Sequence, residues 1–335
     1  MSLYAFDDVD DALDATRAFL WPFDLGTWVK LAFVVFFLGG TGAVNPFQFA
    51  NTTTGGPSDP GTTPGAGPTL SEIVNSLTPT EWAIIAAVVG VIILIGLLFA
   101  FVGAVMEFVF VESISRERVS IREYWGERWR QGGRLFGFRL VVGLLTLVVG
   151  FGPVVAAIWP VLTGGSFSIV FLLAAIGWAI VVAMGSGLLN GFTTQLVVPV
   201  MIAEDRTVLG AWRRFWPTLT GQWKQYLAYA FMRIVLSIAV GIVVGLVTGF
   251  AALVVAIPFV IVGVLGGYLV LAMGTVVGWV IVTIAVALFT LTMIVLSLLV
   301  AVPVQTYLRY YALLVLGDTE EAFDLVPERR RAIRE

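Results

Sequence analysis

The sequence contains neither cysteine nor histidine among its 335 residues. Their absence excludes disulfide bonds, Cys/His zinc sites, haem ligation through histidine, cysteine nucleophiles and Ser-His-Asp triads. Oxygen ligands alone can hold Mg²⁺ or Ca²⁺, but no residue pattern predicts a metal or cofactor site, so neither is expected. A glycine-rich phosphate loop and a pair of catalytic carboxylates are also missing, and we therefore expect no enzymatic activity.

Charged residues are scarce as well. They make up 12% of the chain, where a soluble domain has about 25%, and the mean hydropathy is +0.97. Residues 234–308 contain no Asp, Glu, Lys or Arg, and 18 or so apolar residues already suffice to span a bilayer. The sequence therefore predicts an integral membrane protein. With a net charge of −3 and no basic surface, no nucleic-acid partner is expected.

The lysines and arginines are confined to a few segments, and this bias predicts the topology. Every one of them lies in, or within two to three turns of, residues 1–30, 113–139, 203–233 and 309–335. The intervening segments around residues 41–80, 160–168 and 250–275 contain none. Because Lys and Arg collect in cytoplasmic loops, both termini are predicted to be cytoplasmic in a multi-pass protein of the cell membrane, with an even number of spans.

The fold class predicted is all-α, a polytopic membrane helix bundle of about six transmembrane helices arranged as three hairpins. The hairpins pair residues 27–48 with 82–112, 135–162 with 168–202, and 225–250 with 275–316. The third block is long, and its glycine-rich part, residues 250–274, could instead form a re-entrant piece or an extra pair of spans, for eight in total.

The whole chain, residues 1–335, is predicted to be one membrane domain made of three pseudo-repeats and a tail. The repeats cover about 1–112, 113–202 and 203–317, and the cytoplasmic tail is 318–335. Residues 45–80 are rich in Gly, Pro, Thr and Ser and are predicted to form an external flexible loop. Asn51 begins a glycosylation tripeptide there, but such tripeptides are common by chance, and an unmodified flexible linker is the preferred interpretation.

The repeats rest on recurring tryptophans, prolines and glycines at the elbows that precede the spans. Four residues recur 195 positions later: Trp21, Pro22, Gly26 and Trp28 match Trp216, Pro217, Gly221 and Trp223. Two further tryptophans recur after 87 positions: Trp125 and Trp129 match Trp212 and Trp216. Each repeat is therefore predicted to consist of a cytoplasmic amphipathic helix, a turn and a transmembrane hairpin.

The amphipathic helices are predicted from apolar residues four positions apart. In the second repeat Ser120 and Glu123 form a capping-box pattern, and Ile121, Trp125 and Trp129 follow as an apolar stripe. Such helices suit the lipid headgroup layer, where the apolar face sinks and the arginines meet anionic lipid. The same pattern also suits a collar that packs on the inner face of the bundle.

Two stretches of the sequence carry resemblances. Residues 3–37, LYAFDDVDDALDATRAFLWPFDLGTWVKLAFVVFF, resemble a family of uncharacterised multi-pass membrane proteins from halophilic archaea. Residues 203–229, AEDRTVLGAWRRFWPTLTGQWKQYLAY, are more loosely similar to the membrane domain attached to bacterial glycerophosphodiester phosphodiesterases. Neither resemblance implies catalysis, because the phosphodiesterase barrel that carries the catalytic residues is absent.

Polar residues within the predicted spans are candidates for function, because charge is costly in a bilayer. These residues are Glu107, Asn190, Gln195, Arg233, Gln305 and Arg309. They could line a cytoplasm-facing cavity for a solute, an ion or a lipid headgroup, or they could bond to one another and fix the hairpins. Arg233 is predicted to face the bundle interior with Glu107, Gln195 or Glu204 as its partner.

The function that these observations favour is that of a non-enzymatic scaffold or lipid-associated factor. Its expected partners are membrane lipids, and a second copy or another membrane protein is compatible with the sequence. The alternative is a small-solute or ion transporter or channel with a polar site near Glu107 and Arg233, since internal repeats are common in transporters.

Overall fold

The computed structural model describes residues 4–39, 78–163, 166, 168–274 and 276–335, and within these it is helical without a strand. The predicted loop 45–80, except its last three residues, and Asn51 lie outside the described residues. The first half contains α1 (Tyr4–Leu20), α2 (Leu25–Leu38), α3 (Pro79–Ser115), α4 (Ile121–Leu145), a π-helical segment (Thr146–Phe151) and α5 (Gly152–Leu162). The second half contains α6 (Ile169–Phe192), a second π-helical segment (Thr193–Val197), α7 (Val198–Ala203), α8 (Val208–Gly221), α9 (Trp223–Met273), α10 (Val276–Thr319), a 3₁₀ turn (Glu321–Phe323) and α11 (Pro327–Arg334).

Five continuous helical stretches are long and apolar enough to cross a membrane. They are Pro79–Ser115, Ile121–Pro160, Ile169–Ala203, Trp223–Ala272 and Val276–Thr319. The helix Leu25–Leu38 is also apolar but has 14 residues, fewer than the roughly 20 that a span needs. The predicted remainder of that span, residues 40–48, lies outside the described residues. The chain is therefore a helical membrane protein.

The third hairpin is longer than predicted. Helix α9 runs unbroken for 51 residues, so residues 250–273 continue the helix and form no separate re-entrant segment, and the helix extends well past the predicted end at 250. The helix ends at Gly274, whose φ of 59° lies in the left-handed region that suits a helix-terminating glycine. The spacing of Gly241, Gly245 and Gly249 is compatible with close helix packing, but none of the described residues packs there, because a Cβ at any of the three would meet nothing within 4 Å.

The buried core lies at the arginine-rich ends of the helices. The C-terminal parts of α3 and α10 and residues 193–202 supply most of the fully buried side chains, including Phe108, Phe110 and Tyr310. Helix α2 packs against α3 and α10, and α1 packs against α10. Apolar side chains of the other helix halves are largely exposed, as expected where lipid is the solvent.

The sequence repeat does not correspond to a repeated elbow conformation. Between α1 and α2 the chain turns at Trp21-Pro22, a cis peptide, whereas Pro217 lies inside α8. In the second repeat the predicted turn is missing, because α4 is continuous from Ile121 to Leu145. Its predicted capping box is also missing: Ser120 makes no side-chain cap, and Glu123 pairs with Arg118 instead.

Candidate functional site

The polar residues that the sequence places inside the spans line one cavity of about 380 Å³. It lies between α3, α4, α6, the second π-helical segment, α9 and α10. The six predicted residues are joined there by Arg139, Thr194 and Ser237 and by the apolar Leu38, Gly191 and Leu308. The cavity therefore draws on all three hairpins, with its polar lining near the core end of the bundle.

Glu107 is the centre of the charge network in this cavity. Its carboxylate is 3.1 Å from a guanidinium nitrogen of Arg139 and also accepts from Arg309. Glu107 and Arg309 are 4% and 3% exposed, so this pair is removed from solvent. The three residues come from α3, α4 and α10, and the ion pairs therefore tie three separate helices together.

Thr194 joins the network because of a local break in helical hydrogen bonding. Its side chain accepts from Arg139 at 2.6 Å, and its carbonyl oxygen accepts from Arg309 at 2.7 Å. In the π-helical segment Val198 donates to the carbonyl of Thr193, so the next bond of that register would come from residue 199. Residue 199 is proline and has no N–H, which leaves the Thr194 carbonyl free for Arg309.

A proline also follows the first π-helical segment, but here the hydrogen-bond register at the segment's end is α-helical, since Gly152 donates to the carbonyl of Val148. The segment ends just before Pro153, which would otherwise donate to the carbonyl of Val149. That carbonyl instead accepts from the indole nitrogen of Trp178 at 2.9 Å. In both places a proline exposes a backbone carbonyl, and a side chain from another part of the bundle satisfies it.

Arg233 faces the cavity, but its predicted partner is wrong. Its hydrogen bond goes to the hydroxyl of Tyr229 at 3.2 Å, one helical turn away, and within the described residues it has no acidic or amide partner. The Tyr229 ring stacks on Tyr311 with centroids 5.4 Å apart, which fixes the hydroxyl. The carboxylate predicted for Arg233 is bound to Arg139 and Arg309 instead, and Glu204 pairs with Arg206 and Arg214.

The cavity has more cationic than anionic groups. Three guanidinium groups and a single carboxylate line it, which leaves two formal positive charges without a counter-charge in the lining. Two buried amide oxygens, Oδ1 of Asn190 and Oε1 of Gln195, have no hydrogen-bond partner. Because buried polar groups are normally satisfied, this lining is suited to an anionic ligand that also donates hydrogen bonds.

Two apolar grooves adjoin the cavity, one at Arg233 and the other at Arg139. The first, about 440 Å³, lies between α6 and α9 and shares Gly191, Arg233 and Ser237 with the cavity. The second, about 360 Å³, lies between α2, α3 and α4 and shares Arg139. Both are lined mostly by apolar side chains of helix halves that face lipid.

The elbow tryptophans divide into an inner and an outer set. Trp125 packs edge-on against Phe101, and Trp212 donates from its indole nitrogen to Thr193 at 3.1 Å. The tryptophans four residues later in each repeat, Trp129 and Trp216, are 48% and 57% exposed. The apolar stripe predicted for the second repeat therefore packs against the core only in part, because Trp129 is exposed. Among the remaining elbow residues, Trp21 and Trp223 are exposed and Trp28 packs against the core.

An ion-pair cluster that we did not predict from the sequence holds the C-terminal helix. Arg334 of α11 contacts Asp8 and Asp11 of α1 and Asp318 of α10 at distances of 2.7–2.8 Å. Asp8 is fully buried. Burial and the neighbouring Asp318 raise the pKa of Asp8 to about 8, although Arg334 acts in the opposite direction. The signal in the sequence was the pairing of an aspartate-rich start with an arginine-rich end.

No group of acidic side chains among the described residues is arranged to hold a metal ion. The profile of one protein family, a family of unknown function (DUF7544), matches residues 3–326. Neither the curated proteins nor the solved structures contain a match. The family match agrees with the resemblance to uncharacterised proteins; the halophilic origin and the likeness to phosphodiesterase membrane domains stay predictions.

Proposed function

We propose that this chain, which belongs to that family of unknown function, is a non-enzymatic, lipid-associated membrane protein that holds an anionic lipid headgroup in the cavity around Glu107. One observation carries the proposal: three arginines and a single carboxylate line a cavity that adjoins two apolar grooves with exposed apolar walls. Guanidinium groups bind phosphate oxygens through short, charge-assisted hydrogen bonds. The same groups would repel a cation.

The position of the cavity along the helices supports a headgroup as the ligand. It lies near the arginine-rich ends, which the distribution of Lys and Arg assigns to the cytoplasmic side. Exposed tryptophans lie at the same ends, and Arg130 and Lys224 approach the rings of Trp129 and Trp223. Aromatic and basic side chains together are typical of the membrane interface. The cavity would then open at the depth of inner-leaflet headgroups.

We also propose that the cavity binds its ligand without catalysing a reaction. Glu107 is the single carboxylate among the lining residues, and two arginines already hold it. Both of its oxygens already accept hydrogen bonds from these arginines, so neither is positioned to take a proton from a ligand. The cavity is therefore suited to binding a ligand and lacks a second acid or base for a reaction.

The experiment measures phospholipid that stays bound to the purified full-length protein after extensive detergent washing, by mass spectrometry. We expect about one phospholipid per chain in the wild type and at least tenfold less in Arg233→Gln, because a hydrogen bond to a charged group contributes about 1.5–3 kcal/mol. The control is Arg213→Gln, which removes an exposed arginine of α8 outside the cavity and should retain the lipid. A wild type that retains no phospholipid contradicts the proposal.

The second candidate is a transporter, favoured by the buried Glu107–Arg309 pair, which joins two hairpins beside a cavity. Against it, the repeats inferred from sequence run parallel, whereas many transporters use inverted repeats. Flux of small anions into proteoliposomes discriminates the two functions. Anion flux that Glu107→Gln and Arg233→Gln both abolish would favour transport.

A further inference from the structure

The groove between α6 and α9 continues directly from the polar cavity. Its walls are Gly187, Leu188, Gly191 and Phe192 on α6, facing residues 229–238 on α9. On α9 the stretch from 229 to 238 is about 14 Å long at 1.5 Å per residue. The groove is about 440 Å³, within the range of small-molecule sites, and its polar end is Arg233. A molecule with a charged head and an apolar chain fits a polar cavity that continues into an apolar groove.

The α6 wall of the groove is open because two of its four lining residues are glycine. A Cβ built on Gly187 or Gly191 would meet no atom within 4 Å, so neither glycine is required by packing within the chain. Glycine in a helix interior is less favourable than alanine by about 1 kcal/mol. Two glycines that leave empty space, at a helix face beside a cation, keep this groove wide enough for a ligand.

Among the three arginines that line the cavity, Arg233 uses the fewest of its hydrogen-bond donors on described residues. Arg139 and Arg309 donate to Glu107 and to Thr194, whereas Arg233 donates to one phenol hydroxyl. A guanidinium carries five N–H donors. The α6/α9 groove is therefore lined by the arginine of the cavity that has the most donors available for a phosphate. The other groove is lined by Arg139, whose donors already bind Glu107 and Thr194.

The two amide oxygens without a hydrogen-bond partner indicate which chemical class of headgroup the cavity can bind. Gln195 is 7% exposed, and its Oε1, like Oδ1 of Asn190, lacks a donor while both residues line the cavity with Arg233. An oxygen acceptor is satisfied by a hydroxyl, which a glycerol or sugar headgroup has. A choline headgroup has a cation and no hydrogen-bond donor.

From these observations we infer that the ligand is a phospholipid with a hydroxyl-bearing headgroup, whose phosphate binds Arg233, whose hydroxyls donate to Asn190 and Gln195, and whose chain lies between α6 and α9. The inference rests on the proposed function and adds to it the headgroup class and the position of the chain.

The test uses native mass spectrometry of the full-length, delipidated protein with dioleoyl phosphatidylglycerol or dioleoyl phosphatidylcholine added. Wild type should retain phosphatidylglycerol at least tenfold better than phosphatidylcholine. Gly187→Phe fills the groove without changing a charge and should reduce phosphatidylglycerol retention at least tenfold. The matched control is Gly185→Phe, at an exposed position where a Cβ also meets nothing, outside the groove lining; it should retain the lipid as wild type does.

The outcomes separate this inference from the proposed function. Equal retention of the two lipids by wild type overturns the headgroup class, and wild-type retention by Gly187→Phe overturns the chain position. In either case, loss of lipid in Arg233→Gln would still support the proposed function. Failure of wild type to retain any phospholipid overturns both. Circular dichroism of each variant, with unchanged helix content, confirms that lost retention is not lost folding.

Discussion

At the scale of single residues, the buried carboxylate of Glu107 determines how the charges of the cavity are arranged. An unpaired carboxylate in this environment would be very unfavourable, and two arginines from different helices compensate it. Arg309 is almost fully buried and would itself be unfavourable without Glu107 and the Thr194 carbonyl. Each member of the network therefore depends on the others, whereas the third arginine, Arg233, bonds to Tyr229 and has no carboxylate partner among the described residues.

Removing one member of this network should destabilise the protein strongly. For Arg309→Gln we expect a loss of about 3–5 kcal/mol in the free energy of unfolding, the usual effect of breaking a buried ion pair. Arg118→Gln, which breaks the exposed pair with Glu123, should change it little. Thermal unfolding in detergent, followed by circular dichroism, measures both. Equal melting temperatures for the two variants would contradict the network.

Asp8 should make stability depend on pH. Its pKa in the folded protein is about 8, against an ordinary value of 3.8, and it is faced by Asp11 of its own helix, Asp318 of α10 and Arg334 of α11. Between about pH 4 and pH 8 the folded state keeps a proton that the unfolded state releases, so stability falls as pH rises through this window.

The measurement is the melting temperature of wild type and Asp8→Asn in detergent at pH 5 and pH 8. Wild type should melt at a lower temperature at pH 8, and Asp8→Asn should show a smaller decrease, because its side chain carries no titrating proton. The same decrease in both proteins would mean that other groups cause the pH dependence.

The sequence anticipated the inward residues of the cavity better than their pairing. Polar groups in apolar spans must avoid lipid, so Glu107, Gln195 and Gln305 could be placed at equivalent depths. Which arginine meets Glu107 depends on the distances between helices, which spacing along one helix does not contain. The role of the Thr194 carbonyl could not have been found from Pro199 alone, because an α-helical register would free the carbonyl of Gln195 and only the π-helical register frees that of Thr194.

At the scale of the helices, the short terminal helix α11 holds several elements together. Arg334 bridges α1 and α10, Arg330 contacts Asp318 and Asp324, and Arg329 pairs with Glu117 after α3. A helix of eight residues is not stable alone. Its position therefore depends on these ion pairs.

Loss of the Arg334 contacts should release α11. In Arg334→Gln we expect trypsin to cleave at Arg329, Arg330 and Arg331 about tenfold faster than in wild type, because cleavage follows the population of the undocked helix. The control is Arg17→Gln, which removes an arginine paired only with the exposed Asp14. Cleavage rates that do not differ would show that the ion pairs do not hold α11.

Sequence periodicity predicted the helices but not the breaks between them. The tryptophan pairs recur, yet one elbow is a cis-proline turn and another is continuous helix. A residue such as proline has different effects at a helix start and within a helix, so equal spacing does not give equal conformation. Likewise Gly241, Gly245 and Gly249 are compatible with close packing, but no neighbouring helix approaches them.

At the scale of the whole molecule, composition and charge distribution were sufficient to predict a helical membrane protein. The number of spans was harder to predict, because α9 has 51 residues, about 75 Å at 1.5 Å per residue, more than twice the roughly 30 Å of a hydrocarbon core. Hydropathy alone does not show where within such a helix the membrane lies. The arginines at one end predict the orientation.

The absence of cysteine allows the topology to be tested with single introduced cysteines. Thr163→Cys, at the end of α5, is predicted to react with a membrane-impermeant maleimide in intact cells. Asp205→Cys, whose native side chain is 86% exposed, should react only after permeabilisation, because it lies among the arginine-rich segments assigned to the cytoplasm. Labelling of both sites in intact cells would contradict this orientation.

The central claim is that the arginine-rich cavity receives a lipid headgroup. The most direct measurement is a cryo-electron microscopy structure of the full chain extracted in native lipid nanodiscs. We expect density for a phosphate within hydrogen-bonding distance of the Arg233 guanidinium, with a chain continuing between Gly187 of α6 and α9. A cavity without lipid density, in which Arg233 is paired with a protein carboxylate, would contradict it.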